Sequence, residues 1–414
     1  MSAHQQLQRR LGTFDATAIG LGSMLGAGVF VVFAPAAALA GQMLALSVVI
    51  AGVVAYCNAV ASAALAAKYP TSGGTYVYGR EQLGQWPGFL AGWGFVTGKT
   101  ASCAAMALTF GSYAWPGYAV PVAVAAVAVL TGVNLLGITR TALLTRILLC
   151  IVLATLVFVA VAAAVGPHPA SGAGGPAAEA SLGGVLPAAG LMFFAFAGYA
   201  RIATLGEEVK DPARAIPRAI IAALAAAFAI YLALSLLLLN HLPGGQLAAT
   251  RTPLLDAVLE SRFEAGAVLV QVGAAAACLG ALLALITGVG RTTMAMARER
   301  DLPSPLAKVG GKHTVPYVAE LAVAAVVILL LLTTDVMTVV GFSSFGVLIY
   351  YAVANASAYT LAAHPGYAPK WLNAVGFGAC LLLAFTLPPA SVLTMVAVLA
   401  AGVAGRWLVL RLRH

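Results

Sequence analysis

Long apolar runs dominate this chain and set the first limit on its fold. A run of about 20 apolar residues is long enough to cross the hydrocarbon core of a bilayer as a helix. Only 8% of the 414 residues are charged, whereas a soluble domain carries about 25% charged residues. The chain is therefore predicted to be an all-α polytopic membrane protein with twelve transmembrane helices. The predicted spans are residues 14–37, 40–66, 87–112, 117–138, 143–166, 184–206, 217–240, 264–290, 315–333, 337–362, 371–387 and 389–410.

The basic residues are distributed unevenly between the two sides of these spans. When the loops are assigned alternately, one side receives Arg9, Arg10 and most of the loop lysines and arginines, and the other side receives only Arg251 and Arg262. Positively charged loops stay in the cytoplasm, so both termini are expected there and the protein is expected in the plasma (inner) membrane. The net charge of +9 then follows from topology. Nucleic acid is not an expected partner.

The composition also divides the chain along its length. Residues 1–13 form a polar, basic tail, and residues 167–183 form a Gly-, Pro- and Ala-rich segment typical of a linker. The linker falls outside the membrane and separates a first half (14–166) from a second half (184–362). Two further spans follow at 371–410, and residues 411–414 form a cytoplasmic C-terminus.

A cluster of glycines interrupts the first predicted span at Gly22, Gly26 and Gly28. Each glycine weakens a helix by about 1 kcal/mol relative to alanine, so this helix is prone to open. Backbone groups freed within a membrane must be satisfied by protein, water or a ligand, which makes an opening a candidate binding site. The alternative interpretation is close helix packing, since Gly22 and Gly26 also form a small-xxx-small pattern.

A second interrupted segment, Phe193 to Arg201, occurs in the first span after the linker. The two spans enter the membrane from opposite sides. Interrupted helices at corresponding positions of oppositely oriented halves indicate an inverted-repeat transporter with its site near the bilayer midplane. This correspondence favours a binding break over simple packing in the first span.

Two broken helices offer the chemistry that a zwitterionic amino acid requires. Backbone N–H groups at Gly26, Ala27 and Gly28 can bind a carboxylate, and backbone carbonyls freed in the two breaks can bind an ammonium group. We expect those carbonyls at Met24 and between residues 194 and 197. Small or aromatic side chains near the breaks are predicted to line the pocket: Ser23, Phe193, Phe194, Phe196, Ser102 and Cys103. Each phenylalanine taken alone is more often packed against lipid.

Two cations lie deep in the predicted spans. Lys99 is about a dozen residues into the third span, close to the midplane, and Arg201 follows the second break. A charge at the bilayer centre costs at least about 2.5–3.5 kcal/mol, which suggests a function. Three roles remain open for Lys99: proton exchange, replacement of a bound Na⁺, or a tether between spans. Arg201 is predicted to contact an anion, to act as a gate, or to cap freed carbonyls.

Other reactive residues give little sign of an enzyme or a metal site. The six histidines fall in predicted tails or loops, and the five cysteines lie singly in apolar runs as small core residues. Glu320 is near enough to the end of its span to reach the interface. No metal or other cofactor is expected. Two loops, residues 68–78 and 207–218, are predicted to be turns, with the tyrosines of the first at the interface and a helix resuming near Pro217 after the second.

Gly22-Ser-Met-Leu-Gly-Ala-Gly-Val-Phe30 resembles the first-span signature of the amino acid–polyamine–organocation superfamily of permeases. Residues 193–199, the 207–217 loop and residues 291–303 are also similar to that superfamily. The resemblance implies a LeuT-like fold of two inverted five-helix repeats with broken helices 1 and 6. It implies a carboxylate site at Gly26, Ala27 and Gly28, and amine-binding carbonyls at Met24, Phe194 and Ala197. Two departures are Ala200, where many members have an acid, and the lack of a lysine within the fifth span.

Taken together, these patterns predict a secondary amino-acid transporter that works by alternating access, either proton-coupled or an exchanger. A polyamine or organocation permease is the alternative within transport, and the lack of a deep acidic residue counts against it. A membrane enzyme or a channel is the alternative from another class. Neither an intramembrane nucleophile nor a repeated pore loop is found.

Overall fold

Helices account for most of the residues that the computed structural model describes, which are 11–69, 74–136, 142–165, 181–203, 205, 209–242, 245–310 and 315–411. Two isolated β-bridges, Leu11 with Val209 and Gly310 with Val315, accompany the helices. The predicted linker at 167–183 lies almost entirely outside the described residues. The helices are α1 (Thr13–Met24), α2 (Ala27–Val31), α3 (Phe33–Ala40), α4 (Leu44–Lys68), α5 (Gly74–Leu83), α6 (Gln85–Ala114), α7 (Ala119–Leu135), α8 (Ala142–Val165), α9 (Leu182–Phe196), α10 (Ala200–Ala203), α11 (Pro212–His241), α12 (Gln246–Ala249), α13 (Pro253–Leu259), α14 (Ala267–Arg298), α15 (Tyr317–Thr333), α16 (Val336–Tyr359), α17 (Lys370–Thr386) and α18 (Pro389–Arg411).

Nine helical segments within the described residues are long and apolar enough to cross a membrane. Two further apolar helices, α15 and α17, have 17 residues each. The 30-residue helix α6 is about 45 Å long at a rise of about 1.5 Å per residue. Helix α6 is less apolar than the nine segments because Lys99 lies there among glycines, serines and threonines. These features establish an all-α polytopic membrane protein.

The helices differ in how far the protein covers them. Of the most apolar 18 residues of α16, 83% are buried inside the protein, whereas 17% of the corresponding residues of α18 are buried. Helix α4 packs against α11, and α6 lies between α14 and α16. These inner helices surround the segments where α1 and α9 end. Helix α18 is peripheral, but α17 packs against α4, α9 and α16.

Both loops predicted as turns contain more helix than expected. Residues 74–83 form α5, and Tyr76 and Tyr78 are buried instead of lying at the interface. The helix after the second loop begins at Pro212, not near Pro217, which lies within α11. Proline is favourable in the first turn because its missing N–H has no helical partner there. The parts of these loops at 70–73 and 206–208 lie outside the described residues.

A buried ion-pair cluster joins α5, the end of α14 and α18, and we call it the Asp301 cluster. The Asp301 carboxylate accepts bonds from Arg406 Nε at 2.8 Å, Arg80 at 3.0 Å and the Tyr76 hydroxyl at 2.8 Å. The side chains of Asp301 and Arg406 are 2% and 4% exposed. Arg80 also pairs with the exposed Glu299. Burial and the hydrogen bond to Asp301 raise the pKa of Tyr76, so its hydroxyl remains a donor.

The C-terminus of α14 aims Asp301 at these partners. Arg300 adopts the left-handed conformation with φ of 62°. The Asp301 N–H donates to the Met296 carbonyl at 2.8 Å, and the Arg300 N–H donates to the Ala297 carbonyl at 3.1 Å. This pair of bonds is the Schellman motif, which usually places glycine where Arg300 lies. The motif reverses the chain and turns the Asp301 carboxylate toward α5 and α18.

Three sequence predictions about polar side chains are wrong. Glu320 does not reach the interface: it is 1% exposed and faces α14 at Gly290, which covers it. His241 is the last residue of α11, not part of a loop, and is 1% exposed. Cys150 lies on an exposed face of α8 instead of in the core. The other four cysteines are buried as predicted: Cys57, Cys103, Cys278 and Cys380.

Candidate functional site

The first break is confined to two residues, Leu25 and Gly26. Helix α1 ends at Met24 and α2 begins at Ala27, with Gly26 at φ −71° and ψ −145°. Helices α2 and α3 are nearly continuous, because the Val32 N–H donates to the Gly28 carbonyl at 3.1 Å. The N–H groups at the start of a helix have no carbonyl within that helix. The residues predicted to bind a carboxylate therefore lie at a buried helix start.

The second break is a single 3₁₀ turn. Helix α9 ends at Phe196, residues Ala197–Tyr199 form the turn, and α10 follows at Ala200. The backbone stays helical, with Phe196 at φ −73° and ψ −23° and Ala197 at φ −66° and ψ 1°. A 3₁₀ turn changes the hydrogen-bond register but frees fewer groups than an open segment. The second interruption is thus milder than the first.

The two breaks pack directly on each other through glycine. A Cβ on Gly198 would lie 2.5 Å from the carbonyl carbon and oxygen of Ser23 and from the Met24 nitrogen. A Cβ on Gly28 would lie 2.7 Å from Ala195 Cα. Backbones approach this closely only where both lack bulk. Each break is therefore seated against the backbone of the other.

The small-xxx-small pattern in the first span does not form one interface. Gly26 faces α14, where its Cβ would lie 2.8 Å from Ala281 Cβ. Gly22 has only an ordinary contact with Thr145 of α8, at 3.9 Å. The two glycines face different helices. Close packing and a break thus coexist at Gly26, and Gly22 takes part in neither.

Two tyrosine hydroxyls bind carbonyls of the breaks, and the sequence analysis missed both. The Tyr231 hydroxyl of α11 lies 2.6 Å from the Met24 carbonyl oxygen and 3.2 Å from that of Ala195. The Tyr351 hydroxyl of α16 lies 3.4 Å from the Ala197 carbonyl oxygen. A hydroxyl has one proton, so Tyr231 donates fully to only one of its two acceptors at a time. The available signal was a tyrosine within an apolar span, which requires a partner.

The phenylalanines predicted to line the pocket face inward. Phe193 and Phe196 are fully buried, and Phe194 is nearly so. The Phe196 ring meets Tyr231 edge-on at a centroid distance of 4.9 Å, and Phe193 meets Tyr351 at 5.7 Å. Edge-to-face contacts of this kind fix ring orientation. Phe193 and Phe196 thus hold the two tyrosines that reach the breaks, and all three phenylalanines are buried inside the protein.

Lys99 lies at the middle of α6 and is buried. Within the described part of the chain, no acid lies within ion-pair distance of it. Cys103 follows one turn later and is also buried. Ser102 turns toward α16, where its hydroxyl lies 2.6 Å from that of Ser343. Helix α6 packs against α2, which brings it beside the first break.

The remaining predicted site residues have more local contacts. The Ser23 hydroxyl donates to the Ile19 carbonyl at 2.8 Å, within its own helix. Only the Ser23 backbone contacts the second break, through Gly198. Arg201 is partly exposed on α10 and interacts with another group of the protein. The site is thus built mainly from backbone atoms, with tyrosine hydroxyls and aromatic rings around them.

The chain matches known transporters over nearly its whole length. A family model described as amino acid permease matches residues 11–404. An uncharacterized transporter of Mycobacterium tuberculosis is 55% identical over 404 residues, which cover 96% of this chain and 91% of that protein. The branched-chain amino acid permease of Bacillus subtilis is 30% identical over 347 residues, covering 77% and 73%. Vacuolar cationic amino acid transporter 2 of Arabidopsis thaliana is 28% identical over 385 residues, covering 86% and 60%. The chain belongs to the amino acid permease family and is an amino-acid transporter, not an enzyme.

Proposed function

We propose that the protein is a secondary active transporter that binds its amino acid between the two breaks and works by alternating access. The observation that carries this proposal is the seating of the breaks on each other. Helix-start N–H groups at Ala27 and Gly28 and carbonyl oxygens at Met24 and Ala197 belong to the same pair of breaks. A zwitterion has one group for each set.

In this proposal, the substrate carboxylate binds at Gly26, Ala27 and Gly28. The ammonium group binds the carbonyls of Met24, Phe194 and Ala197. The Tyr231 and Tyr351 hydroxyls occupy two of these carbonyls. Arrival of the ammonium group then shifts each hydroxyl to a new acceptor or adds a second donor to the same carbonyl, which has two lone pairs.

We propose further that the chain crosses the membrane twelve times in a LeuT-like arrangement. The nine apolar segments, the two 17-residue helices and α6 support that number. The packing of α4 on α11 and of α6 on α14 pairs corresponding helices of the two halves, 14–166 and 184–362. Residues 371–410 follow the two halves in this scheme, with α18 peripheral and α17 packed against them, and residues 167–183 link the halves outside the cell. Residues 1–13 and 411–414 then lie in the cytoplasm, and the protein lies in the plasma membrane.

The substrate class proposed here is a neutral amino acid. The side chains that reach the breaks, Tyr231, Tyr351 and Ala281, carry no charge. A cationic side chain or a polyamine needs a carboxylate partner when it leaves water. The branched-chain substrate named for the Bacillus subtilis permease agrees with this class. The cationic substrates named for the Arabidopsis thaliana transporters do not.

Two side chains are proposed to act in coupling and gating. Lys99 lies at mid-membrane without an acidic partner in the described chain, which suits proton exchange or the replacement of Na⁺. Arg201 follows the second break and is proposed as a gate or an anion contact. Pocket roles for Ser23, Ser102 and Cys103 stay predictions.

Uptake into proteoliposomes tests the proposed function. Purified protein is supplied with a panel of labelled neutral, acidic and cationic amino acids and with a diamine, under pH or Na⁺ gradients. The expected result is uptake of a neutral amino acid that is driven by an inward proton gradient or by exchange with internal substrate. Transport of the diamine in preference to every amino acid would overturn the proposal. Na⁺-dependent uptake that is unchanged in Lys99→Ala would remove the proposed role of Lys99.

A further inference from the structure

Glu320 is a buried carboxyl group that nothing in the site described so far uses. It lies in the first turn of α15 and is 1% exposed. Neither of its carboxylate oxygens has a hydrogen-bond partner in the described structure. An ionised carboxylate buried without a partner is strongly disfavoured, so this arrangement favours the neutral acid. The proton is then part of the structure.

The space for this side chain is made by a glycine on the neighbouring helix. A Cβ on Gly290 of α14 would lie 2.7 Å from Glu320 Cγ. Any larger residue at that position would push the carboxyl group out of the contact. The Thr293 hydroxyl, one turn along α14, is also buried without a partner. Glu320 and Thr293 are thus both buried without a hydrogen-bond partner in the described structure.

A cleft lies against the neighbouring face of α15. This cleft of about 440 Å³ is lined by Tyr317 and Leu321, which flank Glu320 in the sequence. Leu135, Gly310 and Val315 complete its wall. Glu320 itself faces α14 and does not line the cleft. A small rotation of α15, or a separation from α14, would bring the carboxyl group to this cleft.

The charged groups around Glu320 allow it to ionise once it is exposed. Arg291, next to Gly290 on α14, interacts electrostatically with Glu320. Three other charged groups lie on or next to elements packed against α15. They are Arg298 on α14, Lys99 on α6, and Lys308, which follows the short 3₁₀ helix Ser304–Ala307. Helix α7 contributes none. All four of these groups are cations, and a carboxylate formed here is attracted by Arg291.

We propose that Glu320 binds the coupled proton and releases it to water on the predicted cytoplasmic side. The inference rests on the proposed transport function and names the group that carries its proton. In the closed arrangement the carboxylic acid keeps its proton against Gly290. When α15 moves, the O–H bond breaks, the proton passes to a water molecule in the cleft, and the carboxylate is stabilised by Arg291. Of the two roles proposed for Lys99, the replacement of Na⁺ is then the one that remains.

The first test compares wild type with Glu320→Gln, whose amide has the size of the neutral acid. One proton per substrate and a gradient of one pH unit correspond to about tenfold accumulation. Wild type is expected to reach this ratio and to lose it when a protonophore is added. Glu320→Gln is expected to retain exchange of internal for external substrate but to show no accumulation. The matched control is Glu299→Gln, which changes an exposed acid and is expected to behave as wild type.

The second test needs no variant. Dicyclohexylcarbodiimide reacts with protonated carboxyl groups in apolar surroundings, and mass spectrometry of the wild-type protein locates the adduct. An adduct on Glu320 that decreases as the pH rises, together with loss of accumulation, is expected. The labelling experiment tests the role of Glu320 even if Glu320→Gln fails to fold.

Three results overturn the assignment: full accumulation by Glu320→Gln, no adduct on Glu320 at any pH, or accumulation driven by Na⁺ in place of protons. Failure of the proposed function looks different. Wild type then transports no amino acid in any arm, whether or not Glu320 is labelled.

Discussion

The two breaks and the Asp301 cluster are both buried polar regions, but they satisfy their polar atoms in opposite ways. In the cluster, one carboxylate is shared by Arg80, Arg406 and Tyr76, all at 3.0 Å or less. In the breaks, carbonyl oxygens accept bonds from neutral tyrosine hydroxyls, one of them shared between Met24 and Ala195. The cluster is held by charge and the breaks by weaker, shared bonds.

This difference separates stability from function. Opening a buried ion pair leaves a charge without compensation, so a region built from charges resists change. A neutral hydroxyl bond contributes only about 0.5–1.5 kcal/mol net and is readily exchanged for a ligand bond. The Asp301 cluster therefore fixes α18 and α5 to α14, and the breaks remain able to accept a substrate. The following predictions test this division.

Asp301→Ala is expected to have the largest effect on stability. It leaves the Arg406 guanidinium buried without its carboxylate, which costs about 3–5 kcal/mol. Thermal unfolding in detergent should show a large decrease in Tm, while the substrate Kd of the protein that remains folded stays near that of wild type. Glu299→Gln is the control, since the exposed pair with Arg80 contributes at most about 1 kcal/mol. A stable Asp301→Ala variant with weakened binding would reverse the comparison.

Gly198→Ala is expected to have the largest effect on transport. The added Cβ meets the Ser23 carbonyl group and the Met24 nitrogen at 2.5 Å, so the breaks must separate. Overpacking costs about 1–3 kcal/mol, and we expect uptake to fall at least tenfold. Gly288→Ala is the matched control, because a Cβ there meets nothing within 4 Å. Equal uptake by the two variants would show that the seating of the breaks is not required.

Tyr231→Phe removes the hydroxyl shared by the two breaks and should affect binding more than stability. Loss of the bonds to Met24 and Ala195 corresponds to about 1 kcal/mol of stability. The same loss removes the bond that positions the Met24 carbonyl, which is proposed to receive the ammonium group, and the substrate Kd is expected to rise about tenfold. Tyr78→Phe is the control, since the Tyr78 hydroxyl is buried without a partner. A Kd that Tyr231→Phe does not change would remove this tyrosine from the site.

Tyr351→Phe should have the smallest effect of the four. Its hydroxyl lies 3.4 Å from the Ala197 carbonyl oxygen, beyond the usual range for such bonds, while its ring packs on Phe193 and Tyr199. The phenylalanine ring keeps that packing. We expect a change in Kd of about two- to threefold, measured beside Tyr231→Phe. An effect larger than that of Tyr231→Phe would make the second break the dominant half of the site.

The fold class and the first break follow directly from the sequence. Apolar runs of membrane length and the glycines at Gly26 and Gly28 are local signals, and the helix ends within two residues of where they predict. The sequence also located the second interruption, but it did not indicate the form that the interruption takes. The same sequence pattern is compatible with a 3₁₀ turn at 197–199 and with an open break. Packing against Ser23 and Met24 decides between the two.

Other features depend on contacts between residues far apart in the chain. Tyr231 and Met24 are separated by 207 positions, and nothing local indicates which carbonyl the hydroxyl reaches. The shallow position of Glu320 predicted that it reaches the interface, but α14 carries a glycine opposite and closes over it. Asp301 reaches Arg80 and Arg406 because Arg300 adopts the left-handed backbone conformation, which at a helix C-terminus is usually taken by glycine.

The central claim is that the backbone of the two breaks binds both charged groups of one amino acid. Binding to purified wild-type protein tests it most directly, with L-leucine as the first neutral ligand and its N-acetyl and carboxamide derivatives for comparison. Each derivative loses charged hydrogen bonds of about 1.5–3 kcal/mol, so each is expected to bind about tenfold to a hundredfold more weakly. Equal affinity for leucine and either derivative, or tighter binding of a diamine that has no carboxylate, would contradict the account.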